Sequence, residues 1–329
     1  MDFRDRSPIL VVFGVILLLV GVAMAFTGPL EMYCFYLFSE GGRFEYEGFG
    51  FGTFMFAYIA AQIVGYYLIA MVAIPLGYGH IKRLRWARRL SLTMLGFWLV
   101  AGIPLMVAFL FVLVTSKGLS PITGVITLVG LALSYAVVPG LLIRFYRGRD
   151  VRRTFESRDP TAPWIEQIPL PVLVVCSILL LTVVVLHVLI LFNGAFPLFS
   201  TLIFDLQGIA LIDFSISILV LLTWGLLRLR SWAWWGSLVY WGFLTFSSIT
   251  ALSRTTFADI LSHMKFASLE MEALGGMPLH GAHLAALVGI PLLVTLGLLA
   301  YSKRYFRMRH QRGSRGPGGS KKAVSHGTP

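Results

Sequence analysis

Of 329 residues, 57% are hydrophobic and 13% charged, against roughly 45–50% apolar and about 25% charged in an ordinary soluble domain, which excludes a water-soluble globular protein. The net charge of +12 invites a nucleic-acid reading, so its distribution along the chain decides its meaning. Two cysteines, Cys34 and Cys176, fall in different layers of the apolar pattern and exclude a disulfide framework.

In chain order, apolar blocks of about 20 residues match the length a helix needs to cross about 30 Å of hydrocarbon. They run Ile9 to Phe26, Phe51 to Leu76, Leu90 to Val114, Ile122 to Ile143, Leu170 to Phe192, Thr201 to Leu227, Trp234 to Leu252, and Leu284 to Tyr301. Lipid satisfies no backbone groups, so each block is expected to be helical. The fold class is all-α, a polytopic integral membrane protein with about eight transmembrane helices. The first block follows Arg4 and Arg6 and ends in Ala23-Met24-Ala25, a small-x-small pattern of the kind cleaved in signal peptides. Asp2 and Asp5 weaken that leader and the repeat described below needs the first helix, so it is expected to be retained.

Of the 27 Lys and Arg residues, only Arg43, Lys117, Arg254 and Lys265 fall on one side of this pattern. The other 23 crowd the opposite side, around Arg4, Lys82 to Arg89, Arg144 to Arg158, Arg228 and Arg230, and from Lys303 onward. The positive-inside rule puts that side, and both termini, in the cytoplasm of a cell-membrane protein. The basic pI is therefore mostly topology. Nucleic acid is not an expected partner, whereas the bilayer and its anionic lipid, at the cytoplasmic basic loops, are.

An internal repeat is written in two loops. Gly79-His80-Ile81-Lys82-Arg83-Leu84-Arg85-Trp86-Ala87 and Gly225-Leu226-Leu227-Arg228-Leu229-Arg230-Ser231-Trp232-Ala233 share Gly, a basic cluster and Trp-Ala at one offset, which also aligns Ser91-Leu92 with Ser237-Leu238. A second echo pairs Phe145-Tyr146-Arg147 with Tyr305-Phe306-Arg307. Two four-helix modules follow, residues 1–158 and 159–302, joined through the polar stretch Ser157 to Pro163 and followed by a basic, disordered tail over 303–329. An even number of crossings per module implies parallel repeats about an axis along the membrane normal. Trp86, Trp98, Trp232, Trp234, Trp235 and Trp241 are read as interface anchors. A helix ending in Gly, a short basic loop, Trp-Ala and another helix resembles the pattern of many uncharacterised multi-pass membrane proteins of prokaryotes. That resemblance covers the two loops and implies no activity.

Ionisable side chains inside a membrane are the default functional candidates. Asp213 is placed roughly 20 Å from the outer end and Gln62 about 17 Å deep, so a polar site between modules is expected from Asp213, Gln62, Tyr66, Tyr67 and Gln207. His187 and Asp205, about 9 and 8 Å deep, form a candidate proton-responsive pair; an interhelical hydrogen bond without further role is the alternative. Asp205 and Asp213 lie about 12 Å apart along one helix, too far for an aspartyl dyad, and no nucleophile elbow, zinc-protease or Walker motif is present.

Between the first two helices, Glu31, Glu40, Glu45 and Glu47 face the single Arg43, giving an acidic outer surface that is a possible protein-partner site. Alternating Gly48, Gly50 and Gly52 read there as a flexible aromatic entry. Thr256 to Leu274 reads as an outer amphipathic helix opened by a Thr256–Asp259 capping box. His263, Met264, His280 and His283 are low-ranking metal candidates, because their spacing matches no defined ligand set. No cofactor is expected. The leading function is transporter-like, with the polar site at the module interface. The alternative is a non-catalytic membrane scaffold or accessory subunit acting through its outer loops, and an enzyme ranks last because no reactive groups converge.

Overall fold

The computed structural model describes residues 4–46, 50, 53–115, 120–263 and 281–314. Its first half contains helices α1 (Ser7–Phe38), α2 (Phe54–Ile81), α3 (Arg85–Thr115), α4 (Pro121–Ala132), α5 (Val138–Arg147) and α6 (Arg149–Arg158). After a 3₁₀ turn (Trp164–Gln167) come α7 (Leu170–Leu191), strands β1 (Phe196–Leu198) and β2 (Thr201–Ile203), α8 (Asp205–Leu227), α9 (Ser231–Arg254), α10 (Phe257–Ser262) and α11 (Gly281–Ser314). Among the described residues, seven helices are long and apolar enough to cross a membrane. The chain is thus an all-α polytopic membrane protein. The helix α9, at 24 residues, is long enough, but its Trp, Ser and Thr content leaves it outside that set.

The pair α1–α2 is the most extensively packed in the molecule. Ser7, Gly14, Gly21, Gly28 and Phe35 recur every seven residues of α1 and are all buried. A seven-residue period holds one stripe against one neighbour. Glycine there lets two backbones meet in lipid, where apolar side chains gain nothing by association. A Cβ on Gly14 would lie 2.8 Å from the Gly77 carbonyl oxygen, and one on Gly77 would lie 2.7 Å from that of Gly14.

Helix α3 is the pivot between halves, packing on α2 and α5 on one side and on α7 and α11 on the other. Helices α4 and α5 are one rod joined by a π-helical turn, Leu133–Val137. Pro139 follows it; a proline ring clashes with the carbonyl four residues back, here Tyr135, and widening the turn relieves that clash. Along Ile122–Arg147, Gly124, Pro139 and Tyr146 are buried and more than half of the positions are exposed, so much of this rod faces outward.

In the second half, α9 and α11 run antiparallel along each other's length. Trp234 Nε1 donates to the Leu299 carbonyl at 2.9 Å and Trp241 Nε1 to that of Leu292 at 3.0 Å, while Gly289 lies against Ile249 and Gly281 against Ser253. Trp234 and Trp241 are buried, which corrects their reading as interface anchors. Trp98, Trp232 and Trp235 remain exposed.

One further boundary differs from expectation. The sixth apolar block does not begin helical at Thr201. Residues 196–203 instead form a two-stranded antiparallel hairpin, because Ser247 of α9 satisfies its turn, accepting from Phe199 N–H at 2.6 Å and donating to the Pro197 carbonyl at 2.9 Å. The Thr256–Asp259 capping box forms, with Asp259 N–H donating to Thr256 Oγ1 at 3.2 Å and Thr256 N–H to Asp259 Oδ2 at 2.9 Å. The helix it opens is described to Ser262, and the remainder of the expected amphipathic segment lies outside the described residues.

Candidate functional site

The expected inter-module residues separate into two places. Tyr66 pairs through its hydroxyl with Glu31 of α1, and Tyr67 covers Gly28, whose Cβ would lie 3.0 Å from the ring. Gln62, half-buried, lies one turn further along α2. Helix α2 packs on α1, α3 and α7, whereas α8 packs on α7, α9 and β1. Asp213 and Gln207 are exposed on α8, on a face that includes Ala210, Phe214 and Ser217. Gln62, Tyr66 and Tyr67 are therefore not brought together with Gln207 and Asp213.

His187 and Asp205 are also apart in role. His187 is exposed and turns Nδ1 back to the Val183 carbonyl of its own helix at 2.8 Å. Asp205 starts α8, where the helix dipole favours a carboxylate. It has left-handed backbone, φ 57°, with its N–H on the Asn193 carbonyl at 3.0 Å. No ion pair or hydrogen bond joins it to His187 among the described residues.

Of the metal candidates, His263 stacks on Phe204 with ring centroids 4.1 Å apart and points Nδ1 at the Asp259 carbonyl, 2.9 Å away. His283 begins α11, and Met264 and His280 lie outside the described residues, as do Glu47, Gly48 and Gly52. Among the described residues no group of three potential metal ligands assembles.

The repeated Gly/basic/Trp-Ala loops build the same turn twice. Arg83 and Leu229 are both left-handed, φ 56° and 54°. Leu84 N–H reaches the Gly79 carbonyl at 2.8 Å and Arg230 N–H that of Gly225 at 3.0 Å; Arg83 and Leu229 bond His80 and Leu226 at 3.1 and 2.8 Å. This is the Schellman pattern of helix termination, with a side chain where glycine is usual. Gly79 and Gly225 are required for close approach: a Cβ on either would lie 2.6 or 2.5 Å from the Cβ of Ala87 or Ala233.

Inside the first turn sits a polar cluster that sequence reasoning missed. His80 is 0% exposed, with Tyr146 and Ser91 also buried. Its Nδ1 lies 2.7 Å from the Leu76 carbonyl and its Nε2 2.7 Å from the Tyr146 hydroxyl, with Ser91 Oγ at 3.4 Å. A carbonyl only accepts, so Nδ1 carries the proton and Nε2 accepts from the tyrosine. Phe155 of α6 closes the ring edge-on at 5.9 Å. His80 was hidden because α2 was expected to end at Leu76. Ala73, Leu76 and His80 share one buried helical face, and carrying that periodicity one turn further would have found it. At the matching positions of the second half stand Leu226 and Phe306, both buried, and Ser237, whose hydroxyl has no partner among the described residues.

Around this cluster the basic loops are partly internal. Arg85 grips Glu166 through Nη2–Oε2 at 2.5 Å and Nε–Oε1 at 3.4 Å, Arg88 adds 3.8 Å to the same carboxylate, and Arg89 donates to the Ile168 carbonyl. Asp159 accepts from Arg85 N–H at 3.0 Å; that bond and one from the Thr161 hydroxyl hold its carboxyl below the usual carboxylate range. The stretch joining the halves is thus clamped to the start of α3. The Arg152 guanidinium, 2.7 Å from Glu156, lowers that carboxyl likewise.

What the arrangement provides is a set of helix fasteners at one end and an outward polar stripe on α8. Comparison with protein-family models, with curated proteins and with solved structures returned no match.

Proposed function

We propose that this protein is a non-catalytic scaffold or accessory subunit of the cell membrane, and that it assembles through the outward face of α8 with a partner transmembrane helix. The observation that carries this is the exposure of Asp213, in line with Gln207, Ala210 and Ser217, on a helix whose other sides are occupied by α7 and α9. A carboxyl group near mid-hydrocarbon costs about 2.5–3.5 kcal/mol. A donor on a second helix offsets that cost, so the partner proposed is a helix carrying Lys, Arg or an amide at the depth of Asp213. Eight crossings with both termini cytoplasmic fit this reading. The helix α9 follows α11 along its length, and the twin turns accord with two four-helix modules.

The test places a photo-crosslinking residue at Ala210 or Ser217 in native membranes. The expected result is one discrete adduct, mapped to a helix with a basic or amide side chain at that depth, lost in Asp213→Leu and regained when a partner Lys→Asp exchange is paired with Asp213→Lys. Adducts to lipid alone, or to a second copy of this chain, would overturn the assignment. The transporter-like alternative, with Asp213, Gln62, Tyr66, Tyr67 and Gln207 around one site, requires α8 to approach α2. It predicts a ligand-dependent rise in thermal stability that Asp213→Asn abolishes.

A further inference from the structure

Three arginines line one cavity where α1 begins and α5 passes into α6. Arg6, Arg144 and Arg149, with Asp150, Leu141 and Phe145, line an open cavity of about 500 Å³. Asp150 is engaged by Arg6 at 3.8 Å, and the Arg6 N–H bonds Thr154 Oγ1 at 3.2 Å, which fixes that wall. Arg144 and Arg149 form no ion pair among the described residues. One carboxylate against three guanidinium groups leaves two positive charges unmatched. Helix α6 starts at Arg149 behind Gly148, with no side chain capping its first-turn N–H groups, so the helix end adds to the positive potential. The planar, multi-donor fork of arginine suits a tetrahedral phosphate better than a point charge does.

The apolar side of the cavity continues into lipid. Leu141, one turn from Phe145, is 62% exposed, and Val137 and Val138 beyond it are exposed as well. This is the rod most of whose positions are exposed. A phosphate held by the arginines would therefore have a hydrocarbon path leading directly away from it along α5.

We propose that this cavity binds the phosphate of an anionic phospholipid headgroup, Arg144 and Arg149 supplying the fork and Leu141 the first contact for an acyl chain. The site is independent of the α8 face, and either assignment can fail without the other. The test titrates the purified full-length chain in detergent with phosphatidylglycerol and, separately, phosphatidylcholine, counting retained lipids by native mass spectrometry. One phosphatidylglycerol should be retained preferentially. Its affinity should fall about 30-fold in Arg144→Gln/Arg149→Gln, at the strength typical of two basic contacts near a membrane surface. Arg144→Lys/Arg149→Lys, which keeps charge and loses the fork, should fall in between. Arg147→Gln/Arg158→Gln, with the same charge removed outside the cavity, should change it by about twofold or less. An equal loss in that control would show diffuse attraction and overturn the site. Inorganic phosphate and glycerol 3-phosphate form the remaining arms; displacement of the lipid at equal concentration would assign the cavity to a soluble phosphate compound instead.

Discussion

The His80–Tyr146 bond makes a prediction whose sign differs between one substitution and two. His80 is fully buried, and its Nε2 meets the Tyr146 hydroxyl at 2.7 Å. In His80→Leu the tyrosine hydroxyl loses its acceptor in a site closed by Phe155, with Ser91 beside it. In Tyr146→Phe it is the imidazole nitrogen that is stranded, 3.4 Å from Ser91 Oγ. Leaving one buried polar group unpaired costs about 1–3 kcal/mol, whereas replacing both partners by apolar groups of similar shape is nearly neutral. Each single variant should therefore lose about 2 kcal/mol. The double variant should lose less than either, because it installs the Leu and Phe found at Leu226 and Phe306 in the second half.

The assay is a double-mutant cycle on SDS-driven unfolding in bicelles, followed by tryptophan fluorescence, with wild type, both singles and the double. The expected coupling is about 2 kcal/mol or more in favour of the double. A double variant that loses the sum of the singles would refute the reasoning, since the two residues would then act through separate packing contacts and not through one shared bond.

Gly14→Ala should cost about 1–3 kcal/mol by overpacking, since its Cβ would meet the Gly77 carbonyl oxygen at 2.8 Å; Gly65→Ala, with nothing within 4 Å of its Cβ, should be neutral or stabilising in the same unfolding assay. Glu166→Ala removes the carboxylate nearest Arg85 and Arg88, whose side chains with Glu166 are 13–16% exposed, and leaves them the carbonyls of Pro160 and Tyr146. It should cost about 2 kcal/mol, between the exposed and buried ranges for ion pairs, and should speed proteolysis between Ser157 and Pro163. Asp159 has its carboxyl lowered on folding, so its contribution is present above the ordinary aspartate pKa of about 3.9 and is lost as pH falls below that value. Hydrogen exchange over the linker should accelerate across that acid window in wild type and show no such step in Asp159→Asn.

The membrane class and nearly every helix were legible because lipid demands long apolar blocks, and no tertiary contact changes that demand. The Gly-Trp-Ala pairs were legible as well, since Gly79 and Gly225 record a close approach that any larger side chain would block. Positions of polar side chains around each helix were not legible. Depth can be counted at 1.5 Å per residue, but facing depends on which neighbours a helix chooses, and Asp213 faces away from the helices of its own chain. The hairpin at 196–203 escaped because its stability comes from Ser247, far away in sequence. The same blindness to distant partners made Trp234 and Trp241 look like surface anchors when each donates to a carbonyl of α11.

The two halves solve one packing problem with different chemistry, and the difference bears on which half is free to evolve contacts. In the first, the junction of helix ends is held by His80, Tyr146 and the Arg85–Glu166 clamp, directional bonds that tolerate little rearrangement. The corresponding junction of the second is held by Leu226, Phe306, Trp234 and Leu299 in one apolar cluster, with a bond from Trp234 Nε1 to the Leu299 carbonyl, and apolar cores accept compensating substitutions more readily. On α8, Gln207, Asp213 and Ser217 are exposed, while Ser215 and Thr223 of the same helix are buried. An outward polar stripe beside an apolar core accords with the lateral assembly proposed above: the core packs within the chain, while a donor from a partner helix would offset the cost of holding the Asp213 carboxyl in lipid.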